Sequence, residues 1–179
     1  MNQPTARNHA SRVDLFQFLD DLDIRTSTIE HEAVFTVAES DRLERNIVGG
    51  HTKNLFLKDA KGQLFLVIAQ SHTEIDLKTL HKTLGAARFS FGKAELLMEV
   101  LGVPPGSVTA FSVINDRSCR VRVVVDAALM GYDLINCHPL TNTATTTIGR
   151  DDLFKFIRAT GHEPRVAALA QVLAGTASD

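Results

Sequence analysis

Apolar residues return at helical spacing in several segments of the chain. Leu15, Leu19 and Leu22 follow Ser11, a typical helix-capping residue, and together they predict an amphipathic helix over 11–22. Similar spacing and end signals predict further helices at 71–84, 93–101, 151–160 and 166–173, and a short helix or loop in the polar stretch that ends at 45.

Short β-rich runs bounded by turn residues predict strands. The runs 54–57 and 64–69 flank the turn-forming segment 59–62 and predict a hairpin. Because 64–69 contains no polar residue, we expect it in the centre of a sheet. Further strands are predicted at 25–29, 88–91, 108–114, 120–125 and 143–148, with 108–114 and 120–125 paired across a turn at 115–118. Tight turns between strands, with helices interspersed, predict an α+β single domain with a mostly antiparallel sheet.

Composition indicates one globular domain. The chain has 179 residues, of which 44% are hydrophobic and 22% charged. We expect a flexible arm at 1–10, without the apolar segment of a signal peptide, and a flexible tail at 175–179. No apolar run reaches the roughly 18 residues of a membrane span. Cys119 and Cys137 lack CxxC spacing and favour a reducing compartment, so we expect a cytoplasmic protein with no membrane partner.

The net charge of −2 limits the kind of nucleic acid that the chain can bind. Proteins that follow duplex phosphates over a long track are usually basic. We therefore expect no DNA partner, and any contact with RNA should involve a local patch, as in recognition of an RNA end.

Lys53 follows a double glycine and enters an apolar run, which places a cation at the start of a predicted strand. Gly49 and Gly50 precede it, and an apolar run follows, so a ligand could approach the backbone closely there. The segment does not match GxxxxGK[ST], because Asn54 follows the lysine, and nucleotide hydrolysis is disfavoured. A phosphate contact and a solvated surface charge both remain open for Lys53.

Metal and covalent catalysis both lack a sequence signature. None of the seven histidines forms HxxxH or zinc-finger spacing with a cysteine, so we predict no metal and no cofactor. Cys137 is adjacent to His138, and adjacent side chains in a strand point to opposite faces. This adjacency argues against a Cys–His dyad and favours Cys137 as a small buried apolar residue.

Two further segments combine turn residues with polar groups. The segment 102–108 reads GVPPGSV, a turn by composition in which the amides of Gly106 and Ser107 could face a developing oxyanion. His138 opens the segment 138–146, HPLTNTATT, whose hydroxyls and amides could orient its ring. A purely structural role for His138 remains the alternative.

Three segments, 49–59, 102–108 and 138–146, together resemble the YbaK / prolyl-tRNA-synthetase-associated family of aminoacyl-tRNA editing domains. The chain most resembles the free-standing branch that removes alanine from tRNA(Pro), known as ProXp-ala. The resemblance covers roughly 31–165 and implies a mixed, partly barrel-like sheet flanked by helices, with 11–174 as one editing domain. Ala110 departs from the family pattern, which usually carries proline there.

The resemblance implies hydrolysis of the ester between a wrong amino acid and the terminal adenosine of tRNA(Pro). Lys53 matches the family's essential lysine, Gly106 and Ser107 match a turn near the scissile carbonyl, and His138 matches a histidine of the aminoacyl pocket. The positions predicted to bind substrate are Asn54, Thr36, Arg88 and Asn142. The family uses water, helped by the ribose hydroxyl of the substrate, and no covalent nucleophile. The cations that could contact the acceptor end are Lys53, Lys58, Lys61, Arg88 and Lys93.

Two alternatives to Ala-tRNA(Pro) hydrolysis stay open. The same chemistry could act on cysteinyl or seryl esters, or the chain could be a catalytically silent module that holds tRNA or a synthetase. Editing has a physical rationale, because a pocket made for proline rejects a smaller side chain by only about 1–3 kcal/mol. Prolyl-tRNA synthetase or an elongation factor could cooperate as a partner.

Overall fold

The computed structural model describes residues 8–34 and 36–171, so predictions for 1–7, 35 and 172–179 lie outside it. The five α-helices in this part are α1 (Arg12–Asp21), α2 (Val37–Asn46), α3 (Leu77–Leu84), α4 (Ala94–Leu101) and α5 (Arg150–Ala159). The eight strands are β1 (Thr26–Glu30), β2 (Gly50–Asp59), β3 (Leu64–Gln70), β4 (Phe89–Phe91), β5 (Val121–Asp126), β6 (Leu134–Cys137), β7 (Ala144–Gly149) and β8 (Arg165–Ala167). Short 3₁₀ helices cover Ala110–Asn115 and Ala127–Gly131.

The strands form one mixed sheet in the order β1-β7-β6-β2-β3-β5-β8, with β4 also paired to β2. The pairs β1–β7, β6–β7, β2–β3 and β2–β4 are antiparallel, whereas β2–β6, β3–β5 and β5–β8 are parallel. The predicted fold class, an α+β single domain with a mixed sheet flanked by helices, is confirmed.

Strand β3 lies between β2 and β5 and is buried on both faces, as its all-apolar sequence predicts. Leu66 and Ile68 pack into a cluster with residues of α1, α4 and α5. Phe65 and Val67 point the other way and pack with residues of α3. The alternation of side chains along one strand therefore divides the core into two layers.

The predicted β2–β3 hairpin is confirmed, and Asp59 stabilises its turn. One carboxylate oxygen of Asp59 accepts hydrogen bonds from the amides of Lys61 and Gln63, each at 2.9 Å. Gly62 has φ of +86°, a conformation that favours glycine. Burial alone would raise the pKa of Asp59, but the backbone amides around it hold that pKa below its usual value.

The predicted strand at 108–114 is wrong, and so is its hairpin with 120–125. Thr109 caps a buried 3₁₀ helix at Ala110–Asn115, and the Ser112 hydroxyl donates to the Thr109 carbonyl. β5 instead pairs in parallel with β3. A short apolar run is compatible with a strand or with a buried helix, and its periodicity does not separate the two.

Three other element predictions need correction. Asp76, not Ser71, caps α3, because its side chain accepts from the Lys78 amide at 2.9 Å. The predicted helix at 166–173 is replaced, in its described part, by β8 and an irregular segment. Strand β6 had no predicted counterpart.

The described part of the proposed N-terminal arm contacts the domain. The Ala10 amide donates to the side chain of Asn115 at 2.7 Å, just before α1 begins. At ten residues each, α1, α2 and α5 are the longest described helices, and none of the described helices is long and apolar enough to span a membrane.

A buried pair, Asp116 and His162, fastens the end of α5 to the start of β5. Asp116 accepts from His162 Nε2 at 2.8 Å and from the amides of Arg120 and Val121. Both side chains are 2% exposed. Burial raises the pKa of Asp116, but the hydrogen bond from His162 and the two amides lower it more, so the pKa lies below its usual value.

We expect Asp116→Asn to destabilise the protein by about 3 kcal/mol at pH 7, because it leaves a buried partner without its charge. Since the folded pKa of Asp116 is below the unfolded one, its stabilisation is present above about pH 4 and declines as pH falls through the folded pKa. Urea unfolding at several pH values measures both effects.

The matched control for this prediction is Asp151→Asn, whose side chain is 89% exposed. We expect it to change the unfolding free energy by less than about 0.5 kcal/mol. An equally small change in the unfolding free energy of Asp116→Asn would contradict this account of the pair. So would a loss of stability in Asp116→Asn that stays the same size in acid.

Candidate active site

The candidate active site is a cavity at the point where β2 and β6 separate. These strands pair only at Gly50↔Ile135 and His51↔Asn136, after which β2 continues beside β3, and β6 beside β7. A cavity of about 350 Å³ opens there. Strands β2, β6 and β7 and the loop after β6 contribute His51, Thr52, Asn136, Cys137, His138 and Thr145. The opposite wall comes from α2 and the residues before it: Val34, Thr36, Ser40, Leu43 and Glu44.

Side chains bridge the two strands at the split. The Thr52 hydroxyl donates to the Asn136 carbonyl at 2.8 Å. The Asn136 side chain donates to the Val48 carbonyl at 3.1 Å and accepts from the Thr147 hydroxyl at 2.6 Å. These bonds hold β2, β6 and β7 together where the backbone ladder ends, which fixes the shape of the cavity floor.

His138 lies in the cavity wall, directly after β6. Its Nδ1 is 2.9 Å from the Ala144 carbonyl, and a carbonyl only accepts, so Nδ1 carries the proton. Burial lowers the pKa of His138, the bond to Ala144 partly opposes this, and nearby His31 lowers the pKa further. The neutral imidazole therefore presents Nε2 as a hydrogen-bond acceptor.

His31 supports the same wall, although the sequence suggested no role for it. Its ring centroid is 6.4 Å from that of His138, and its Nε2 lies 2.8 Å from the Thr145 hydroxyl. The His31 amide also bonds to the Thr143 carbonyl, continuing the β1–β7 pairing. Only the fold brings residues more than a hundred positions apart into contact, so no local sequence signal could have identified His31.

Cys137 is a buried, neutral thiol. It is 2% exposed, and burial raises its pKa to about 12, although the Thr52 hydroxyl nearby lowers it slightly. A thiol needs to ionise to act as a nucleophile. The arrangement agrees with the sequence argument against a Cys137–His138 dyad.

Lys53 lies beside the cavity but is not among the described residues of its wall. By strand alternation its side chain shares a face with Leu55 and Leu57, and its Nζ donates to the Thr73 carbonyl. Thr52, one residue earlier, is in the wall. An ammonium group has three donors, so Lys53 keeps hydrogens for a ligand.

Asn54 follows on the same strand, and alternation puts its side chain on the Thr52 face. Its Oδ1 is buried without a hydrogen-bond partner among the described residues. Thr36 lies in the cavity wall as the N-cap of α2, where its hydroxyl accepts from the Glu39 amide at 3.2 Å. No described residue accepts a hydrogen bond from the Thr36 hydroxyl.

The remaining predicted residues lie outside the cavity wall. The Ser107 amide is occupied by the Pro104 carbonyl at 3.1 Å, whereas Gly106 has φ of +89° with open space beside its Cα. Asn142 lies in the β6–β7 turn. Arg88 is exposed at the far end of β2, about 20 Å from Lys53 at the usual rise of a strand.

One group of described side chains could hold a metal ion. The ligand atoms of Asp41, Glu44 and His72 lie within 4.8 Å of one another. Glu44 and His72 already contact each other at 3.1 Å, so the pair has an explanation without a metal.

The comparisons with known proteins agree with this architecture. A family model described as the aminoacyl-tRNA editing domain matches residues 31–156. The chain is 39% identical over 145 residues to the prolyl-tRNA editing protein ProX of Acetoanaerobium sticklandii, which covers 80% of this chain and 88% of that protein. It is 40% identical over 155 residues to prolyl-tRNA synthetase associated domain-containing protein 1 of Danio rerio, covering 86% and 84% of the two chains.

A solved structure with a provisional assignment as a trans-editing enzyme for prolyl-tRNA synthetase superposes with a TM-score of 0.65. It is 18% identical and covers 90% of this chain and 99% of its own, so the likeness concerns the fold. The family model and the ProX relative define the class of this domain, an aminoacyl-tRNA editing domain. The chain belongs to the aminoacyl-tRNA editing domain family, as its sequence resemblance implied.

Thiol labelling tests the state of the two cysteines. We expect the native protein to react with one equivalent of a disulfide reagent, at the exposed Cys119, while Cys137 stays protected by burial and its raised pKa. The control is Cys119→Ser, which should show no fast thiol in the native state and one after unfolding. Rapid labelling of native Cys119→Ser would contradict the buried neutral thiol.

Proposed function

We propose that the protein is a trans-editing deacylase that hydrolyses the ester of mischarged tRNA(Pro), with Ala-tRNA(Pro) as its preferred substrate. The observation that carries this proposal is the cavity wall with a neutral His138, in a member of the aminoacyl-tRNA editing family. The relative ProX, by its name a prolyl-tRNA editing protein, supports tRNA(Pro) as the substrate.

The proposed chemistry is direct attack of water on the ester. The water oxygen bonds to the carbonyl carbon, the bond from that carbon to the ribose oxygen breaks, and a proton passes to the ribose oxygen. His138 Nε2 orients the water or the neighbouring ribose hydroxyl by accepting a hydrogen bond. No covalent intermediate on the protein is needed, and Cys137 is unsuited to form one. The reaction also needs no metal.

Backbone and cationic groups would stabilise charge around the ester. Lys53, held by the Thr73 carbonyl, binds a phosphate of the terminal nucleotide with its remaining hydrogens. Asn54 projects from the other face of β2, on the Thr52 side, where its buried Oδ1, unpaired among the described residues, would accept a hydrogen bond from the substrate. Gly106 and Ser107 lie outside the described cavity wall, so their role rests on the family resemblance: the open face at Gly106 would leave room for the acceptor end, its amide would donate to the oxyanion, and Ser107 would shape the turn.

The acceptor end would extend along β2 toward Arg88. Single-strand nucleotides rise about 3.4 Å each when stacked, so the roughly 20 Å from Lys53 to Arg88 exceeds the length of a few unpaired nucleotides. Arg88 would then contact the first base pairs of the acceptor stem, while Thr36 and Asn142 contact the terminal residue. This contact area is limited to the RNA end, as expected for a protein of net charge −2.

Amino-acid selection would follow from the shape of the wall that contacts the side chain. The cavity volume of about 350 Å³ exceeds that of either acyl group, so the apolar residues Leu43 and Cys137 would need to fit closely around the alanyl methyl group and exclude the proline ring there. This completes a double sieve with the synthetase. The unpaired cysteines fit a cytoplasmic location with the translation machinery, where a synthetase or elongation factor would present the substrate.

Release of amino acid from a panel of charged tRNAs tests the reaction and its specificity. We expect Ala-tRNA(Pro) to be hydrolysed about 10- to 100-fold faster than Pro-tRNA(Pro), because the cavity excludes the larger ring. Cys-tRNA(Pro), Ser-tRNA(Pro) and Ala-tRNA(Ala) complete the panel, and EDTA should leave every rate unchanged.

Faster hydrolysis of Cys-tRNA(Pro) or Ser-tRNA(Pro) than of Ala-tRNA(Pro) would assign the specificity to cysteine or serine. A folded protein that hydrolyses none of the panel would contradict the enzymatic proposal and favour a silent module that binds tRNA. Loss of activity in EDTA, restored by a divalent ion, would contradict metal independence.

Substitution of His138 and Lys53 tests the two assigned roles. We expect His138→Ala to lower kcat by about 100-fold, and Lys53→Ala to lower kcat/KM by about 10- to 100-fold through lost phosphate binding. Because the pKa of His138 is lowered, wild-type kcat should persist below pH 6.5 and fall only in more acidic solution.

The control is Lys82→Ala, an exposed lysine on α3, which should retain wild-type kinetics. Full activity in folded His138→Ala, or an equal loss in Lys82→Ala and Lys53→Ala, would contradict these assignments.

A further inference from the structure

Glu44 is the one acidic residue among the described residues of the cavity wall, and no lysine or arginine accompanies it there. Its side chain is 16% exposed. It projects from α2 and also borders a neighbouring depression of about 430 Å³. A mostly buried carboxylate without a cation in the wall creates a site where a positive charge is favoured.

The carboxylate of Glu44 is oriented from one side only. Its Oε2 accepts from the Ser71 hydroxyl at 3.1 Å and lies 3.1 Å from His72 Nε2. Its Oε1 has no hydrogen-bond partner among the described residues. One oxygen is therefore fixed by the segment after β3, while the other remains available to a ligand.

The proposed substrate brings a cation to this cavity. An aminoacyl ester carries a primary ammonium group one carbon away from the carbonyl that water attacks. In the remaining wall, His138 is neutral, Thr52 and Thr145 offer hydroxyl groups, and His51 offers ring nitrogens. None of these groups is an anion. Glu44 is thus the group in the wall best suited to bind the ammonium.

We propose that Glu44 binds the free α-ammonium group of the aminoacyl ester, so that the site accepts free amino acids on tRNA and rejects N-acylated ones such as peptidyl esters. This inference rests on the proposed deacylase function and names a positioning residue for it. Binding the ammonium also fixes the direction in which the ester carbonyl points, which brings it toward the water held by His138.

The test compares kcat/KM for Ala-tRNA(Pro) and N-acetyl-Ala-tRNA(Pro). In the wild type we expect the free amine to be preferred by about 10- to 100-fold, the strength of one charge-assisted hydrogen bond. Glu44→Gln keeps the shape of the side chain and should reduce this preference to about threefold or less, through slower hydrolysis of the free-amine substrate. The N-acetyl substrate should be hydrolysed at an unchanged rate.

The matched control is Asp41→Asn. Asp41 lies one turn earlier on α2 and outside the cavity wall, so this variant removes the same charge from the same helix. We expect it to keep the wild-type preference. Because Asp41 belongs to the group able to hold a metal, an equal loss of preference in both variants would assign Glu44 to a metal or structural role and overturn the proposal.

A second readout uses the wild type alone, in case Glu44→Gln does not fold. The titratable groups around Glu44 are Asp41 and Arg45 on α2, His51 on β2 and His72 after β3, with His138 across the cavity. A preference for the ammonium should decline as pH rises through about 8, where α-amino groups lose their proton. The N-acetyl substrate should not show this decline and serves as the internal reference.

The outcomes separate the two proposals. If the wild type hydrolyses both esters equally, or if its preference is the same at pH 6.5 and pH 9, the role of Glu44 is overturned while the deacylase function stands. If the wild type hydrolyses neither ester, the deacylase function fails, and the role of Glu44 fails with it.

Discussion

The early separation of β2 from β6 is the constraint on which the rest of the site depends. Two residue pairs in parallel register join the half of the sheet that contains β1, β7 and β6 to the half built on β2, β3 and β5. Gly49, with φ of +120°, and Gly50, where a Cβ would lie 2.8 Å from the Tyr132 ring, allow the strands to meet so closely. A side chain at either position would push the halves apart and change the cavity.

The cavity that results has a floor fixed by side-chain hydrogen bonds and a neutral imidazole as its base. The floor is fixed by the bonds of Thr52 and Asn136, and burial keeps His138 neutral. The thiol in the wall is unreactive. A site of this kind favours a reaction in which the protein positions water and an activated ester, since an aminoacyl ester needs less assistance than a peptide bond would.

Much of the fold was predictable because several strands and helices carry their signals locally. The all-apolar β3 and the Asp59 turn identify the central hairpin from sequence alone. The segment at 108–114 was misassigned because an apolar run of that length does not reveal its period. β6 was missed because four residues with an asparagine among them give no alternation, and its position depends on pairing with β7.

Of the site residues predicted from sequence, His138 and Thr36 line the same cavity, on opposite walls, and their roles stay predictions. The predicted strand began at 54, so the sequence assigned no face to Lys53, and it could not show that the Ser107 amide is already bonded. Glu44 and His31 gave no signal, because a glutamate on a polar helix and a histidine in a loop are ordinary until the fold brings them to the cavity.

The most direct test of the account is a structure of the protein with a non-hydrolysable alanyl-adenosine amide, which retains the amino acid and the terminal nucleoside. The account predicts the alanyl group in the cavity between β2 and β6, with its carbonyl near His138 Nε2 and its nucleoside directed toward Lys53. Binding in the separate cavity of about 540 Å³ beside His9 and Arg117, or no binding at concentrations well above KM, would contradict it.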